Sequence, residues 1–163
     1  NVDFINQAPE TLPFAAQQTR VLYALNAAAE AFNMPLMRQV IADMKPTERL
    51  SSTVRFQLGS FVLDTKAQQD VTRLVDVLNT NDALKNRKLI LAGFADSVGS
   101  FESNLSLSRS RANAVRSAIV NAPDGRQFAQ RIQIKAYSEL APVACNDNDK
   151  GRKFNRRVEV WVQ

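Results

Sequence analysis

Apolar residues recur along the chain with two different periods, one of about 3.6 and one of two, and these periods predict its helices and strands. In the first third, apolar residues recur at helical spacing from Pro13 to Phe32 and again from Leu36 to Met44. The run Lys45-Pro46-Thr47 ends the second stripe, since the residue before a proline avoids the helical conformation. We therefore expect residues 1–47 to form a helical segment or linker, separate from the domain at residues 48–163.

The remaining residues predict strands and helices in alternation. A polar and apolar alternation or a short apolar run indicates a strand, and a stripe at helical spacing indicates a helix. In chain order the segments are Ser52–Gln57, Ala67–Leu78, Leu89–Phe94, Ser108–Val120, Ile132–Ala136 and Val158–Val162. This order predicts an α+β domain of β-α-β-α-β-β topology, with its helices on one face of the sheet.

Two local details accompany this prediction. Thr65 and Gln68 have the spacing of a capping box at the start of the first helix. The last two strands are expected to be antiparallel neighbours, joined by a long loop from Tyr137 to Asn155. Loops of that length are often functional.

Charge is distributed unevenly along the chain of 163 residues. The net charge is +5, and residues 101–163 contain 11 basic and 6 acidic side chains, so this third alone has a net charge of +5. Such a field attracts polyanions in general, and both carboxylate-bearing cell-wall polymers and nucleic acids fit it. No apolar run approaches the 18 residues of a membrane span, and no signal peptide is visible.

Composition excludes several kinds of catalytic and metal site. The chain has no histidine and a single cysteine, Cys145, so it lacks a histidine-based triad, a Cys-x-x-Cys motif and an intramolecular disulfide. A glycosidase needs two carboxylates across a cleft, and the loop with Asp96 offers only Glu102 as its partner. We expect neither an enzyme nor a metal or cofactor site.

The stretch from Gly93 to Ala112 is the candidate binding site. It follows the apolar run Leu89–Ala92 and contains one acid, Asp96, in a loop before a serine, Ser108, that is a good N-cap residue. A helix starting there would place Arg109 and Arg111 in its first turn, where the positive end of the helix dipole disfavours them. Free N–H groups, a positive dipole and an exposed arginine make an anion site, and Asp96 adds a cation-attracting group. These charges of both signs suit a zwitterion.

These residues resemble the OmpA-like (OmpA/MotB/Pal) peptidoglycan-binding domain. The resemblance covers about two thirds of the chain, from Leu50 to Gln163. It depends on three ordered motifs: Phe56-x-x-x-Ser60-x-x-Leu63; Asp96-x-x-Gly99 with Asn104-x-x-Leu107-Ser108-x-x-Arg111-Ala112; and Pro142–Ala144, Asn146, Gly151-Arg152 and Asn155–Val158.

The resemblance implies a function and a set of site residues. The function is non-covalent binding of peptidoglycan through the meso-diaminopimelate of its stem peptides, which anchors a parent protein at the cell wall or outer membrane in a Gram-negative periplasm. It implies that Asp96 contacts the ammonium group and Arg111 the carboxylate of diaminopimelate. The residues expected to support them are Ala95, Asn104, Leu107, Ser108 and Arg109, of which Arg109 is expected to be surface charge.

One departure from the family pattern keeps two alternatives open. The family loop usually reads Gly-His-Thr-Asp, whereas this chain has Gly93-Phe94-Ala95-Asp96 and so lacks the threonine hydroxyl. That departure would favour a protein-interaction domain with a non-functional site, and the basic charge would favour a nucleic-acid-binding module. In addition, Val2–Gln7 resembles the end of a phosphate-type periplasmic binding domain, which suggests a fusion of such a domain with the OmpA-like one.

Overall fold

The computed structural model describes residues 48–163, which form four strands and three α-helices. In chain order they are β1 (Glu48–Arg55), α1 (Thr65–Thr80), β2 (Leu89–Gly93), α2 (Phe101–Asn121), β3 (Ile132–Ala136), α3 (Asp149–Asn155) and β4 (Arg157–Val162). The β-α-β-α-β-β order is confirmed, with α3 as an additional short helix in the last connection. The expected helices of residues 1–47 and the resemblance at Val2–Gln7 lie outside the described residues.

The four strands form one mixed sheet in the order β1-β4-β2-β3. Strand β4 is antiparallel to both β1 and β2, and β2 is parallel to β3. The expectation that the last two strands are neighbours is wrong, because β4 lies between β1 and β2. All six residues of β4 are buried, so both faces of this strand are covered, as in a central strand.

Helices α1 and α2 pack on one face of the sheet. The stripe predicted for α1 is buried, as are the residues of α2 that face the same core. These side chains form one cluster with alternate residues of β2 and β4, among them Leu89, Leu91, Val158 and Val160. Each fully buried side chain of this size contributes about 1.5–3 kcal/mol relative to an exposed one, so this cluster is the main support of the fold.

The start of α1 is set by Asp64. Its Oδ1 accepts a hydrogen bond of 2.8 Å from the Ala67 N–H, as an N-cap side chain does. The capping box predicted at Thr65 and Gln68 is therefore wrong, because the N-cap residue is Asp64, one position earlier. The Gln68 side chain instead donates to the Leu63 carbonyl.

Helix α2 begins at Phe101 and not at Ser108. Its N-cap is Ser100, whose Oγ accepts from the Ser103 N–H at 3.1 Å. Ser108 is buried inside the helix, where its hydroxyl donates to the Leu105 carbonyl and accepts from the Ser138 N–H. The predicted cap at Ser108 and the predicted first-turn position of Arg111 are therefore both wrong.

Glycine at position 93 allows α2 to lie close to β2. A Cβ on Gly93 would be 2.1 Å from the backbone oxygen of Ser108 and 3.4 Å from the Ala112 side chain. Only a residue without a side chain fits between strand and helix there. This close contact fixes the position of α2 relative to the loop that follows β2.

Among residues 48–163, no helix combines the length and the apolarity that crossing a membrane requires.

Candidate functional site

An open pocket of about 640 Å³ lies between the loop after β1, the loop after β2 and the first half of α2. Its volume is within the range of about 300–1,000 Å³ typical of small-molecule sites. A cavity between β1 and α1 has about 90 Å³, and a shallow depression lined by α1 alone has about 390 Å³. The residues that line the larger pocket are Leu58, Gly59, Phe61, Asp96, Val98, Ser103, Asn104, Ser106, Leu107 and Ser110.

Asp96 lies in the pocket wall and is almost fully buried. Its Oδ1 accepts a hydrogen bond of 3.0 Å from the Val98 N–H, and its Oδ2 pairs with a guanidinium nitrogen of Arg156 at 2.9 Å. Arg156 is itself held by a bond from its Nε to the Phe56 carbonyl. The carboxylate is thus fixed in position and has a cationic partner before any ligand arrives.

Arg111 lies on the middle of α2, and its side chain is completely buried. The guanidinium donates three hydrogen bonds to backbone carbonyls: to Ser60 at 2.8 Å, to Phe94 at 3.2 Å and to Gln57 at 3.2 Å. The guanidinium carbon Cζ also lies 5.4 Å from the centre of the Phe56 ring. Arg111 therefore holds the loop after β1 against the loop after β2, and it does not line the pocket.

Arg111, Asp96 and Arg156 form one charge cluster behind the pocket wall. Burial lowers the pKa of Arg111 to about 10, the Asp96 carboxylate opposes this shift, and Arg156 adds to it. With a pKa of about 10, Arg111 stays protonated at neutral pH. With the Glu139 carboxylate, which shares Asn104 as a hydrogen-bond partner with the Asp96 loop, the two guanidinium groups and two carboxylates provide charges of both signs at this wall.

Asn104 connects α2 to the Asp96 loop. Its Nδ2 donates to the Asp96 carbonyl at 3.1 Å and to Glu139 Oε2 at 3.0 Å. Leu107 lines the pocket, whereas Arg109 is exposed and contributes surface charge, as expected. Ala95 is buried, and its N–H donates to the Ser138 carbonyl, so it lies outside the pocket lining.

The N-terminus of α2 lies next to Asp96 and not next to Arg111. Ser100 caps the helix, and two residues of the first turn, Ser103 and Asn104, line the pocket. Hydrogen-bond acceptors are favoured at such a helix start because the first backbone N–H groups and the positive end of the helix dipole lie there. The helix-start contribution to an anion site is therefore displaced from the position that the sequence predicted.

Arg156 and Glu139 were not anticipated as members of this site. Arg156 belongs to the closing motif noted in the sequence, but its partner Asp96 is distant along the chain, and only the fold brings the two together. Sequence spacing gave no signal for Glu139.

Within residues 48–163 there is no cluster of three histidine, cysteine or acidic residues that could hold a metal ion.

Comparison with known proteins gives consistent results for sequence and structure. The OmpA family model matches residues 55–156. Outer membrane porin F of Pseudomonas aeruginosa is 30% identical over 138 residues, which is 85% of this chain and 36% of that protein. The peptidoglycan-associated lipoprotein of Burkholderia pseudomallei superposes with a TM-score of 0.57 at 23% identity, covering 69% of this chain and 91% of that one.

A third similar protein is the cell wall anchor of the T6SS from Pseudomonas aeruginosa. It has a TM-score of 0.53 at 24% identity and covers 78% of this chain and 92% of that structure. The chain spans about a third of the length of the porin relatives that it matches. The structural matches show a common fold, and the family match extends over more than half of the sequence. The chain belongs to the OmpA family.

Proposed function

We propose that this domain binds peptidoglycan non-covalently through the meso-diaminopimelate of its stem peptides and so anchors a parent protein to the cell wall. The proposed location is the periplasm of a Gram-negative cell, at the cell wall or outer membrane. The observation that carries the proposal is the pocket wall in which the Asp96 carboxylate lies next to two guanidinium groups and the N-terminus of α2. An ammonium and a carboxylate on one carbon match these adjacent charges of opposite sign.

In this proposal Asp96 receives the ammonium group of the ligand. The ammonium then shares the carboxylate with Arg156, and the ligand carboxylate balances the positive charge that results. The N-terminal turn of α2 offers that carboxylate the positive end of the helix dipole, while the Ser103 and Asn104 N–H groups stay bonded to Ser100. Because the Arg111 guanidinium is fully buried, it acts in this conformation through its charge and by holding the loop after β1.

The names of two proteins with the same fold support the proposal. One is called a peptidoglycan-associated lipoprotein and the other a cell wall anchor. None of the three reported relatives has a name that denotes an enzyme, in line with an anchoring role for this domain.

Aromatic placement favours peptidoglycan over nucleic acid as the ligand. Proteins that bind single strands stack bases on aromatic side chains along a basic groove. Phe94 is fully buried, and the Arg157 guanidinium lies 4.0 Å from the centre of its ring. Phe61 is the aromatic residue that lines the pocket, so the described residues provide one ring there and no row of them.

A sedimentation assay with purified diaminopimelate-type sacculi tests the proposal. Asp96→Asn removes the charge and keeps the shape of the side chain, and truncating one member of a buried charge pair at an interface costs roughly 2–5 kcal/mol. We therefore expect at least about 30-fold weaker binding, since each 1.4 kcal/mol is tenfold.

Asp149→Asn is the matched control for this variant. Asp149 is an exposed acid in the first turn of α3, and its replacement removes the same charge. We expect it to bind as the unmodified chain does. Equal retention of the Asp96→Asn and Asp149→Asn variants on sacculi would show that Asp96 is not part of the binding site.

A further inference from the structure

The exposed large apolar side chains of the described residues are concentrated beside the pocket. Five such side chains are exposed within residues 48–163, and four of them belong to the loops after β1 and β2. These are Leu58 (63% exposed), Phe61 (51%), Val62 (69%) and Val98 (51%), here called the apolar rim. Isolated exposed apolar residues are ordinary, but a group that borders a pocket indicates a contact surface.

The apolar rim is displayed by a loop that is already fixed. Arg111 donates to the Gln57 and Ser60 carbonyls, and the Ser60 N–H donates to the Gln57 carbonyl at 3.1 Å. The Ser60 hydroxyl in turn accepts from the Val62 N–H. A loop held in this way loses little conformational entropy when a ligand binds, so contacts to the rim add to affinity.

The pocket lining is partly polar and partly apolar. Asp96, Asn104 and three serines provide the polar groups, and Leu58, Phe61, Val98 and Leu107 provide the apolar surface. Its volume of about 640 Å³ fits a drug-sized ligand, whereas the charged end of one diaminopimelate is only a small part of such a molecule. The pocket therefore has room for more of the ligand than its zwitterionic end, and the apolar rim borders that room.

We infer that the apolar rim packs against the C–H face of an amino-sugar ring of the glycan strand while the polar side of the pocket holds the stem peptide. This inference rests on the proposed function. A pyranose ring carries hydroxyl groups at its edge and C–H groups on its faces, and an aromatic ring attracts such C–H groups with the negative charge of its own face. Phe61 is half exposed at the pocket border and supplies that ring.

Calorimetric titration of the 163-residue chain with two ligands tests the inference. One ligand is the disaccharide–tripeptide containing diaminopimelate, and the other is the same tripeptide without sugars. We expect the unmodified chain to bind the disaccharide form about three- to tenfold more tightly. Phe61→Ala abolishes this difference, because it weakens binding of the disaccharide form more than binding of the tripeptide, and Phe61→Tyr, which keeps the ring, restores it.

Two valines provide a matched pair of variants for the same titration. Val98→Ser lies in the rim, and Val77→Ser is an equally conservative change at a valine of α1 that is 44% exposed. We expect the first to weaken the sugar-dependent binding and the second to leave it unchanged. Thermal unfolding of all variants checks that they are folded, which is expected for side chains that are about half exposed.

The possible outcomes separate this inference from the proposed function. Equal affinity of the unmodified chain for both ligands, or an equal loss on both ligands in Phe61→Ala, contradicts contact with the sugar and leaves peptide binding in place. Failure of Phe61→Ala to change either affinity also contradicts it and points to another partner for the rim. Absence of binding to both ligands by the unmodified chain contradicts the proposed function and this inference together.

Discussion

Replacement of Arg111 with methionine is expected to destabilise the domain substantially, although the sequence suggested an exposed first-turn arginine. The guanidinium donates to three backbone carbonyls, and a hydrogen bond to a charged group contributes roughly 1.5–3 kcal/mol each. Burial opposes this gain, because it lowers the pKa of Arg111 to about 10, and each pKa unit below the ordinary value corresponds to about 1.4 kcal/mol. The gain exceeds the cost, and we expect a loss of about 3 kcal/mol in the free energy of unfolding.

Urea denaturation at pH 7 measures this loss. Arg109→Met is the matched control, because Arg109 lies on the same helix and is exposed. A surface substitution of this kind usually changes stability by less than about 0.5 kcal/mol. Hydrogen exchange provides a second readout, in which the amide of Ser60 loses protection in the Arg111 variant because its loop is no longer held. Equal stability of the two variants would refute the role assigned to Arg111.

Two further substitutions test the packing and the charge pairs of the sheet. Gly93→Ala places a Cβ 2.1 Å from the Ser108 backbone oxygen, so α2 must move. We expect urea denaturation to show a loss of several kcal/mol in the free energy of unfolding. Unchanged stability would contradict the close contact. Glu159→Gln removes the carboxylate that pairs with Arg49 at 3.0 Å and with Arg157 at 2.9 Å. Leaving the two buried arginines uncompensated is expected to cost about 3–5 kcal/mol in the free energy of unfolding. A stability within about 1 kcal/mol of the unmodified chain would contradict the role of this carboxylate.

Local sequence patterns predicted the elements whose side chains face one core. The stripe of α1 was predicted correctly because apolar spacing at the helical period reports which side of a helix is buried. The alternation located β3 and β4 but gave only one face of β4 as buried, whereas both faces are. The start of α2 was missed because Ser100 and Ser108 are both acceptable N-cap residues, and the serine-rich turn between them has little apolar pattern. Helix α3 was missed because it has only seven residues.

The arrangement of the site depends on contacts that no local pattern encodes. Arg156 reaches Asp96 from the far end of the chain, and β4 lies between β1 and β2. The motif identified Asp96 and Arg111, but the prediction that Arg111 is exposed was wrong. That error has a physical cause: a helix that starts earlier places the same residue on the inner face of its middle turns, where it meets backbone carbonyls instead of solvent.

The most direct test of the central claim is a comparison of two stem peptides that differ only in their third residue. Meso-diaminopimelate ends in an ammonium and a carboxylate, and lysine ends in the ammonium alone. A site that is built to pair with both groups rejects the ligand that lacks one, and a hydrogen bond to a charged group is worth roughly 1.5–3 kcal/mol.

Titration of both peptides at two salt concentrations therefore gives a preference for the diaminopimelate form on the order of tenfold to a hundredfold, retained at the higher salt. Equal affinity for the two peptides, with a steep loss at higher salt, would contradict the claim. That result would assign the binding to general attraction by the basic last third of the chain.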